Sequence, residues 1–197
     1  RLPPRSTLFT YTTLFRSTIR DANFAPVRLL SLQSRLSAAY KGLMVQLMQA
    51  GSLDFINGDP IELTTYFDLS VDIHHIFPQA HCEAKNYPRL RWNSIVNKAP
   101  LTSRTNRAIG GRAPSVYLGS IQTKHSIPDA RMDEILRTHG IEPALLRQDD
   151  FDALIRARAT ALLCLVEKAT GKQVTGRDSD QVQAAFGGPL LNAAQLP

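Results

Sequence analysis

The sequence predicts a mainly α-helical protein with a small β element. Two long segments, 26–50 and about 150–170, repeat apolar residues at intervals of three and four, which is the pattern of an amphipathic helix. The stretch 71–77 (VDIHHIF) is β-branched and aromatic, and these residue types favour a strand. With 197 residues, 43% of them hydrophobic, the chain is long and apolar enough to bury a core.

Capping residues, prolines and glycines set the expected limits of each element. The elements expected in order are a helix over 26–50, a short strand or extended arm over 61–67, a strand over 71–77, an irregular stretch over 79–100, a helix to 109 capped by Thr102 or Ser103, helices over 114–121 and 129–138, and a long helix from Asp149 or Asp150 to about 170. Glycines follow several of these helices, as expected for residues that end a helix.

Composition divides the chain into four expected stretches. Residues 1–17 show no clean period, and YTTLFRS at 11–17 resembles the translated end of a common sequencing adapter. We therefore expect 1–17 to be non-native and the natural protein to be longer at its N-terminus. Residues 18–60 are expected to be the helical end of a truncated upstream region, 61–171 the main domain with its C-terminal helices, and 172–197 a loose tail.

The positive charge is concentrated in one part of the chain. Lys and Arg total 23 against 17 Asp and Glu, for a net charge of +6. Seven of the bases, and no acid, lie between residues 84 and 112. A basic block on a neutral body is typical of a protein that binds a polyanion such as nucleic acid. The alternative reading of the same block is a solvated surface that is merely basic.

Cysteine content and hydropathy exclude several classes of protein. The two cysteines, Cys82 and Cys164, form no CxxC pair, which excludes a disulfide-rich scaffold and a zinc ribbon. No apolar run approaches the roughly 18 residues that a membrane span needs. These features predict a cytoplasmic protein with no membrane partner.

Two adjacent histidines and two asparagines form the sharpest motif. His74 and His75 lie on the expected strand, Asn97 follows 22 residues after His75, and Asn106 comes nine residues later on the expected short helix. A neutral imidazole has the right pKa to take a proton from water near neutral pH, and a divalent ion can neutralise charge on a phosphate. A histidine pair alone is more often structural than catalytic, so the interpretation depends on both asparagines.

The ordered motif resembles the HNH, or ββα-metal, nucleases. The resemblance rests on DIHHIFP (72–78), NSIVNKAPLT (93–102) and TNRAIGG (105–111). Within that superfamily the chain is similar to the C-terminal domain of GmrSD-type modification-dependent restriction endonucleases, from about residue 38 to 172. The resemblance implies a ββα-metal core embedded in a helical domain.

The resemblance also implies a role for each residue of the motif. His75 is the expected general base, His74 and Asn106 are the expected metal ligands, and Asn97 ties the loop to the strand and orients His75. Asp72 is a third ligand, a partner of His74 or a strand-end polar residue. The metal is expected to be Mg²⁺, with Mn²⁺, Ni²⁺ or Co²⁺ also suited to a His and Asn pair. Regular strand alternation would put the histidines on opposite faces, so the site needs them at a frayed or twisted strand end.

Basic residues beside the motif are candidates for phosphate contacts. Arg104 and Arg107 are three residues apart and share a face of the expected helix with Asn106 between them. Lys98 and Arg112 complete the set of expected nucleic-acid contacts, and the alternative for all four is simple solubility.

Three functions remain open at this point. The first is a metal-dependent DNA endonuclease of a restriction system, whose nucleotide-binding domain would be a missing N-terminal partner because the chain has no GxxxxGK[ST] motif. The second is a non-catalytic nucleic-acid-binding module on an HNH scaffold. The third is a toxin-type or RNA-directed HNH nuclease.

Overall fold

Helices make up most of the structure, and two short strands form one small sheet. The computed structural model describes residues 23–61 and 71–192. Its elements in chain order are α1 (Arg28–Ser31), α2 (Ala38–Gln49), β1 (Val71–His75), α3 (Gln79–Ala84), α4 (Arg89–Trp92), a 3₁₀ turn (Ile95–Asn97), β2 (Lys98–Thr102), α5 (Ser103–Ile109), α6 (Pro114–His125), α7 (Asp129–Thr138), α8 (Pro143–Arg147), α9 (Phe151–Thr170) and α10 (Asp180–Phe186). The prediction of a mainly helical chain with a small β element is confirmed.

The sheet and the helix after it form a strand–strand–helix unit. Strands β1 and β2 are antiparallel, with Val71 opposite Thr102 and His75 opposite Lys98. Helix α5 follows β2 without a loop, because the Thr102 side chain accepts a hydrogen bond from Thr105 N and caps the helix. Gly110 then ends α5 with a φ of 57°, a conformation that glycine adopts readily. The expected short helix and its cap are confirmed.

The stretch 79–100 was expected to be irregular, and this prediction is wrong. Pro78 and Pro88 each stand immediately before a short helix, α3 and α4, where a proline costs no hydrogen bond. Pro100 lies within β2 opposite Ile73. A two-stranded sheet consists of edge strands only, so a proline that lacks an N–H group is tolerated there.

The single helix expected over 26–50 is also wrong, because the chain breaks between α1 and α2. Leu32 has a ψ of 83°, and its carbonyl accepts a hydrogen bond from Ile95 N at 2.8 Å. Ser37 then caps α2 by accepting from Tyr40 N. Leu36, expected on the buried stripe, lies in the break and is 87% exposed.

The helices expected over 129–138 and from Asp150 to about 170 are confirmed as α7 and α9, whereas α6 extends to His125, beyond the expected end at 121, and α8 was not expected. Asp150 caps α9 by accepting from Ala153 N, and Gly171 ends the helix in a left-handed conformation. The buried stripe of α9 is rotated from the expected one: it includes Arg158, whereas Ala157 and Ala161 are only half-buried. Helix α9 packs against α2, α8, α10 and the 3₁₀ turn, and it therefore contacts both ends of the described chain.

The expected loose tail is packed onto the body as far as residue 192. Helix α10 buries Phe186, and Leu190 beyond it is fully buried. The guanidinium of Arg177, 2% exposed, lies 2.9 Å from the Glu167 carboxylate on α9. The buried ion pair of Arg177 and apolar contacts therefore hold this segment against the body, although its sequence shows no long helical repeat of apolar residues.

One continuous hydrophobic core runs from Leu29 to Leu190 and joins the expected segments 18–60, 61–171 and 172–197 over their described residues. The expected adapter-derived segment and most of the expected strand 61–67 lie outside the described residues. Within the described part of the chain, no helix combines the length and hydrophobicity needed to cross a membrane.

Candidate functional site

An open pocket of about 230 Å³ lies where β1 ends, and His74, His75 and Asn106 all line it. Its remaining walls come from the start of α3 and from the Gly110-Gly111 turn after α5. The structure thus brings together three of the residues that the sequence pattern singled out, from two elements separated by about 30 residues of chain.

Both histidines reach this pocket although they are neighbours on a strand. Side chains alternate between the two faces of a regular strand. His75 is the last residue of β1, and the chain bends directly after it at Ile76 and Phe77. The strand-end position that the sequence analysis required for the pair is the one observed.

His75 is half-buried and held on two sides. Its Nε2 lies 3.2 Å from Asn93 Oδ1, and its ring meets the Trp92 ring edge-on, with 5.6 Å between centroids. Burial lowers the pKa of His75 below its usual value of 6.5; the Asn93 hydrogen bond opposes this shift, and the charge of Lys98 adds to it. The imidazole is therefore neutral near neutral pH, as a proton acceptor must be.

Asn97 is fully buried and ties the turn before β2 to the bend after β1. Its Oδ1 accepts from Phe77 N at 2.9 Å, and its Nδ2 donates to Phe77 O at 2.9 Å and to Trp92 O at 2.8 Å. Its backbone carbonyl accepts from Ile76 N. The tie between loop and strand expected of Asn97 is present, and it sets the chain immediately after His75. Its contribution to catalysis stays a prediction.

Asn106 is placed by the cap of α5 and by a buried carboxylate beneath it. Asp54 Oδ1 accepts from the Thr105 hydroxyl at 2.6 Å, and Oδ2 accepts from Thr102 N at 3.0 Å. Burial alone would raise the pKa of Asp54, but these hydrogen bonds and one from Ile56 N outweigh it and lower the pKa. Asp54 therefore anchors the helix that carries Asn106 to the loop after α2.

Two side chains that line the pocket are of types that could ligate a divalent ion. An imidazole nitrogen from His74 and an amide oxygen from Asn106 suit first-row divalent ions, and two protein ligands leave positions for water and phosphate oxygens. Among residues 23–61 and 71–192, no three His, Cys, Asp or Glu side chains form a group that could hold a metal ion. For Asp72 the structure describes the backbone, paired with Leu101, and its part in the ligand set stays a prediction.

The expected nucleic-acid contacts divide into two groups. Arg104, Arg107 and Arg112 are exposed, and the first two lie on α5 on either side of Asn106. Lys98 is only 7% exposed, and its ammonium donates to Gln33 O at 2.8 Å. Burial lowers the pKa of Lys98 to about 8. Lys98 thus has a partner inside the protein; Arg112, although exposed, donates to Ala108 O, and Arg104 and Arg107 are open to solvent.

Sequence reasoning gave no role to two residues that hold the site. Asn93 was taken only as a breaker of regular structure, although its amide meets His75. Arg158 was not on the expected stripe of α9, yet it is fully buried and donates to the carbonyls of Ile95, Val96 and Lys98 around Asn97. Its position four residues after Leu154, a member of that stripe, was the available signal.

Comparisons with known proteins identify no family. No protein-family model matches the chain, and no solved structure matches it. An uncharacterized protein of Methanocaldococcus jannaschii is similar to this chain, with 27% identity over 128 residues, 61% of this chain and 21% of that protein. The chain therefore spans about a fifth of the length of this relative.

Proposed function

We propose that this chain is a metal-dependent endonuclease of the HNH, or ββα-metal, type that hydrolyses DNA phosphodiester bonds. The observation that carries the proposal is the shared pocket of His74, His75 and Asn106 at the end of a strand–strand–helix unit. The buried Asn97 at the expected place between the strands supports the same assignment.

His75 is the general base in this proposal. Its imidazole is neutral near neutral pH, half-buried and adjacent to the pocket, so it accepts a proton from a water molecule that attacks phosphorus. His74 and Asn106 hold the divalent ion, which when bound neutralises charge on the scissile phosphate and the departing oxygen. Arg104 and Arg107 contact phosphates on either side of the scissile bond from the exposed face of α5.

The resemblance to the nuclease domain of GmrSD-type enzymes extends the proposal to a biological role. We propose that the chain is the cleaving part of a restriction or defence system, acting on DNA in the cytoplasm. A nucleotide-binding domain of the same protein would supply target recognition and control.

Cleavage of supercoiled plasmid by the full chain tests the proposal. Nicking is measured with Mg²⁺, Mn²⁺ or Ni²⁺ for the unsubstituted chain, for His75→Ala and for His125→Ala, a matched control at the far end of α6. We expect metal-dependent nicking that falls by about 100-fold or more in His75→Ala, since general-base catalysis contributes on that order, and that persists in His125→Ala.

The other outcomes separate the alternative functions. Salt-sensitive DNA binding without cleavage under any metal would support a non-catalytic binding module. Cleavage of RNA but not of plasmid, again lost in His75→Ala, would move the assignment to an RNA-directed nuclease.

A further inference from the structure

A chain of hydrogen bonds runs from a backbone carbonyl to the imidazole of His75. Gln33 Nε2 donates to Leu30 O at 3.4 Å, and Gln33 Oε1 accepts from Asn93 Nδ2 at 3.4 Å. Asn93 Oδ1 then lies 3.2 Å from His75 Nε2. The three side chains come from the break between α1 and α2, from the end of α4 and from the end of β1.

The Leu30 carbonyl fixes which group donates and which accepts along this series of hydrogen bonds. A backbone carbonyl only accepts hydrogen bonds, so the Leu30 carbonyl requires the NH₂ group of Gln33 and turns its amide oxygen toward Asn93. That oxygen in turn requires the NH₂ group of Asn93, which turns Asn93 Oδ1 toward the ring. An amide oxygen also only accepts, so His75 Nε2 must carry the hydrogen.

Other contacts of Gln33, Asn93 and His75 hold this series of hydrogen bonds in place. Lys98 on β2, the charged group that acts on His75, donates its ammonium to the backbone carbonyl of Gln33 at 2.8 Å. Asn93 N donates to Arg89 O and fixes the end of α4. The Trp92 ring lies against the imidazole edge-on and restricts its rotation.

We infer that Asn93 is a positioning residue that holds His75 as the Nε2–H tautomer and leaves Nδ1 as the nitrogen that accepts a proton. The inference rests on the proposed function for the source of that proton, a water molecule, but not for the tautomer itself. A neutral imidazole has one donor and one acceptor nitrogen. Because Nε2 of His75 donates to Asn93, which does not line the pocket, Nδ1 of His75 stays available to accept a proton in the reaction.

Nitrogen NMR of the metal-free full chain, labelled with ¹⁵N at histidine, tests the inference. Spectra recorded at about pH 8.5, where imidazoles are neutral, distinguish a protonated from a bare ring nitrogen. We expect a protonated Nε2 and a bare Nδ1 for His75, a mixture of tautomers in Asn93→Ala, and a restored Nε2–H in Asn93→Asp, which keeps an acceptor oxygen. The signals of His125 serve as the internal reference.

Plasmid nicking by the same variants tests whether the tautomer matters for the reaction. We expect kcat to fall by about 10- to 100-fold in Asn93→Ala, as for residues that orient a functional histidine, and to recover in Asn93→Asp.

The outcomes separate this inference from the proposed function. A bare Nε2 in the natural sequence, an unchanged tautomer in Asn93→Ala, or a changed tautomer with unchanged nicking would each overturn the role of Asn93. Absence of nicking by the natural sequence with every metal would instead overturn the proposed function, while the tautomer measurement would still decide whether Asn93 sets the ring.

Discussion

At the residue scale, burial sets the protonation state of individual histidines. His75 is half-buried beside a pocket, whereas His139 is fully buried and its Nε2 donates to Leu53 O at 2.7 Å. Burial lowers the pKa of His139 to about 4, and the nearby charge of Arg158 contributes in the same direction. The same residue type is therefore a candidate base at one site and, at the other, a structural group that is neutral near neutral pH.

The lowered pKa of His139 predicts that the free energy of unfolding decreases in acid. The unfolded chain binds a proton near pH 6.5 and the folded chain only near pH 4, so the free energy of unfolding should fall as pH drops through that window. The contribution of one such group approaches about 1.4 kcal/mol per pH unit. Urea unfolding across the window should show this slope, and His139→Gln, which can still donate to Leu53 O, should reduce it.

The control for this experiment is His125→Gln, which changes a histidine at the end of α6 and should leave the slope unchanged. Equal slopes for the natural sequence and His139→Gln would show that other groups cause the acid sensitivity.

At the element scale, α9 holds the 3₁₀ turn and the start of β2 in place through buried hydrogen bonds. Arg158 lies in the middle of this helix and is fully buried, and its guanidinium donates to Lys98 O at 2.7 Å, to Ile95 O at 3.1 Å, to His139 O at 3.1 Å and to Val96 O. Three of these carbonyls, those of Ile95, Val96 and Lys98, lie at the 3₁₀ turn and at the start of β2, on either side of Asn97, and the fourth, His139 O, follows α7. A single side chain of α9 thus donates to buried backbone carbonyls from two parts of the chain.

Replacing Arg158 should destabilise the fold strongly. Arg158→Met keeps much of the side-chain volume but leaves buried carbonyls without donors, which costs on the order of 4 kcal/mol in the free energy of unfolding. Arg137→Met on α7 makes the same chemical change at an exposed position and should cost little. Chemical denaturation of both variants provides the measurement, and a loss below about 1 kcal/mol for Arg158→Met would contradict the support assigned to it.

At the scale of the whole molecule, the basic block divides into buried and exposed charge. Lys98 is buried on a carbonyl, and Arg91 pairs with Asp152 at 2.6 Å. Arg104 and Arg107 remain exposed on α5 beside the pocket. The net charge of +6 is a property of the sequence, but the part of it that is exposed to solvent is decided by the fold.

Salt dependence of DNA binding tests this division of charge. The double variant Arg104→Ala/Arg107→Ala should weaken binding and make the slope of log K against log salt shallower by about 2, since each lost phosphate contact contributes about 0.9. Lys124→Ala/Arg137→Ala removes the same charge from other exposed positions and should leave the slope nearly unchanged. Titrations in metal-free buffer measure the slopes, and equal effects of the two double variants would show that only net charge matters.

The sequence by itself determined the helical class, the ends of α5, α7 and α9, and three of the residues that line the pocket, whereas α3, α4, α8 and α10 were not expected. Thr102, Asp150 and Gly171 act within a few residues of their own position, so a cap or a stop can be read from the chain directly. The order and spacing of His74, His75 and Asn106 predicted a common site through their resemblance to the HNH motif, and the three residues line one pocket.

Only the tertiary structure decided which distant groups pair with each other. Strand β2 forms because β1 is available beside it. At the break before α2, the Leu32 carbonyl accepts a hydrogen bond from the backbone N–H of Ile95, 63 residues away. Arg158 is buried because the carbonyls of Ile95, Val96 and Lys98 meet α9 at that point and accept hydrogen bonds from its guanidinium. Strand pairing and the hydrogen bonding of buried polar groups depend on partners far along the chain, and a local pattern of residues does not identify those partners.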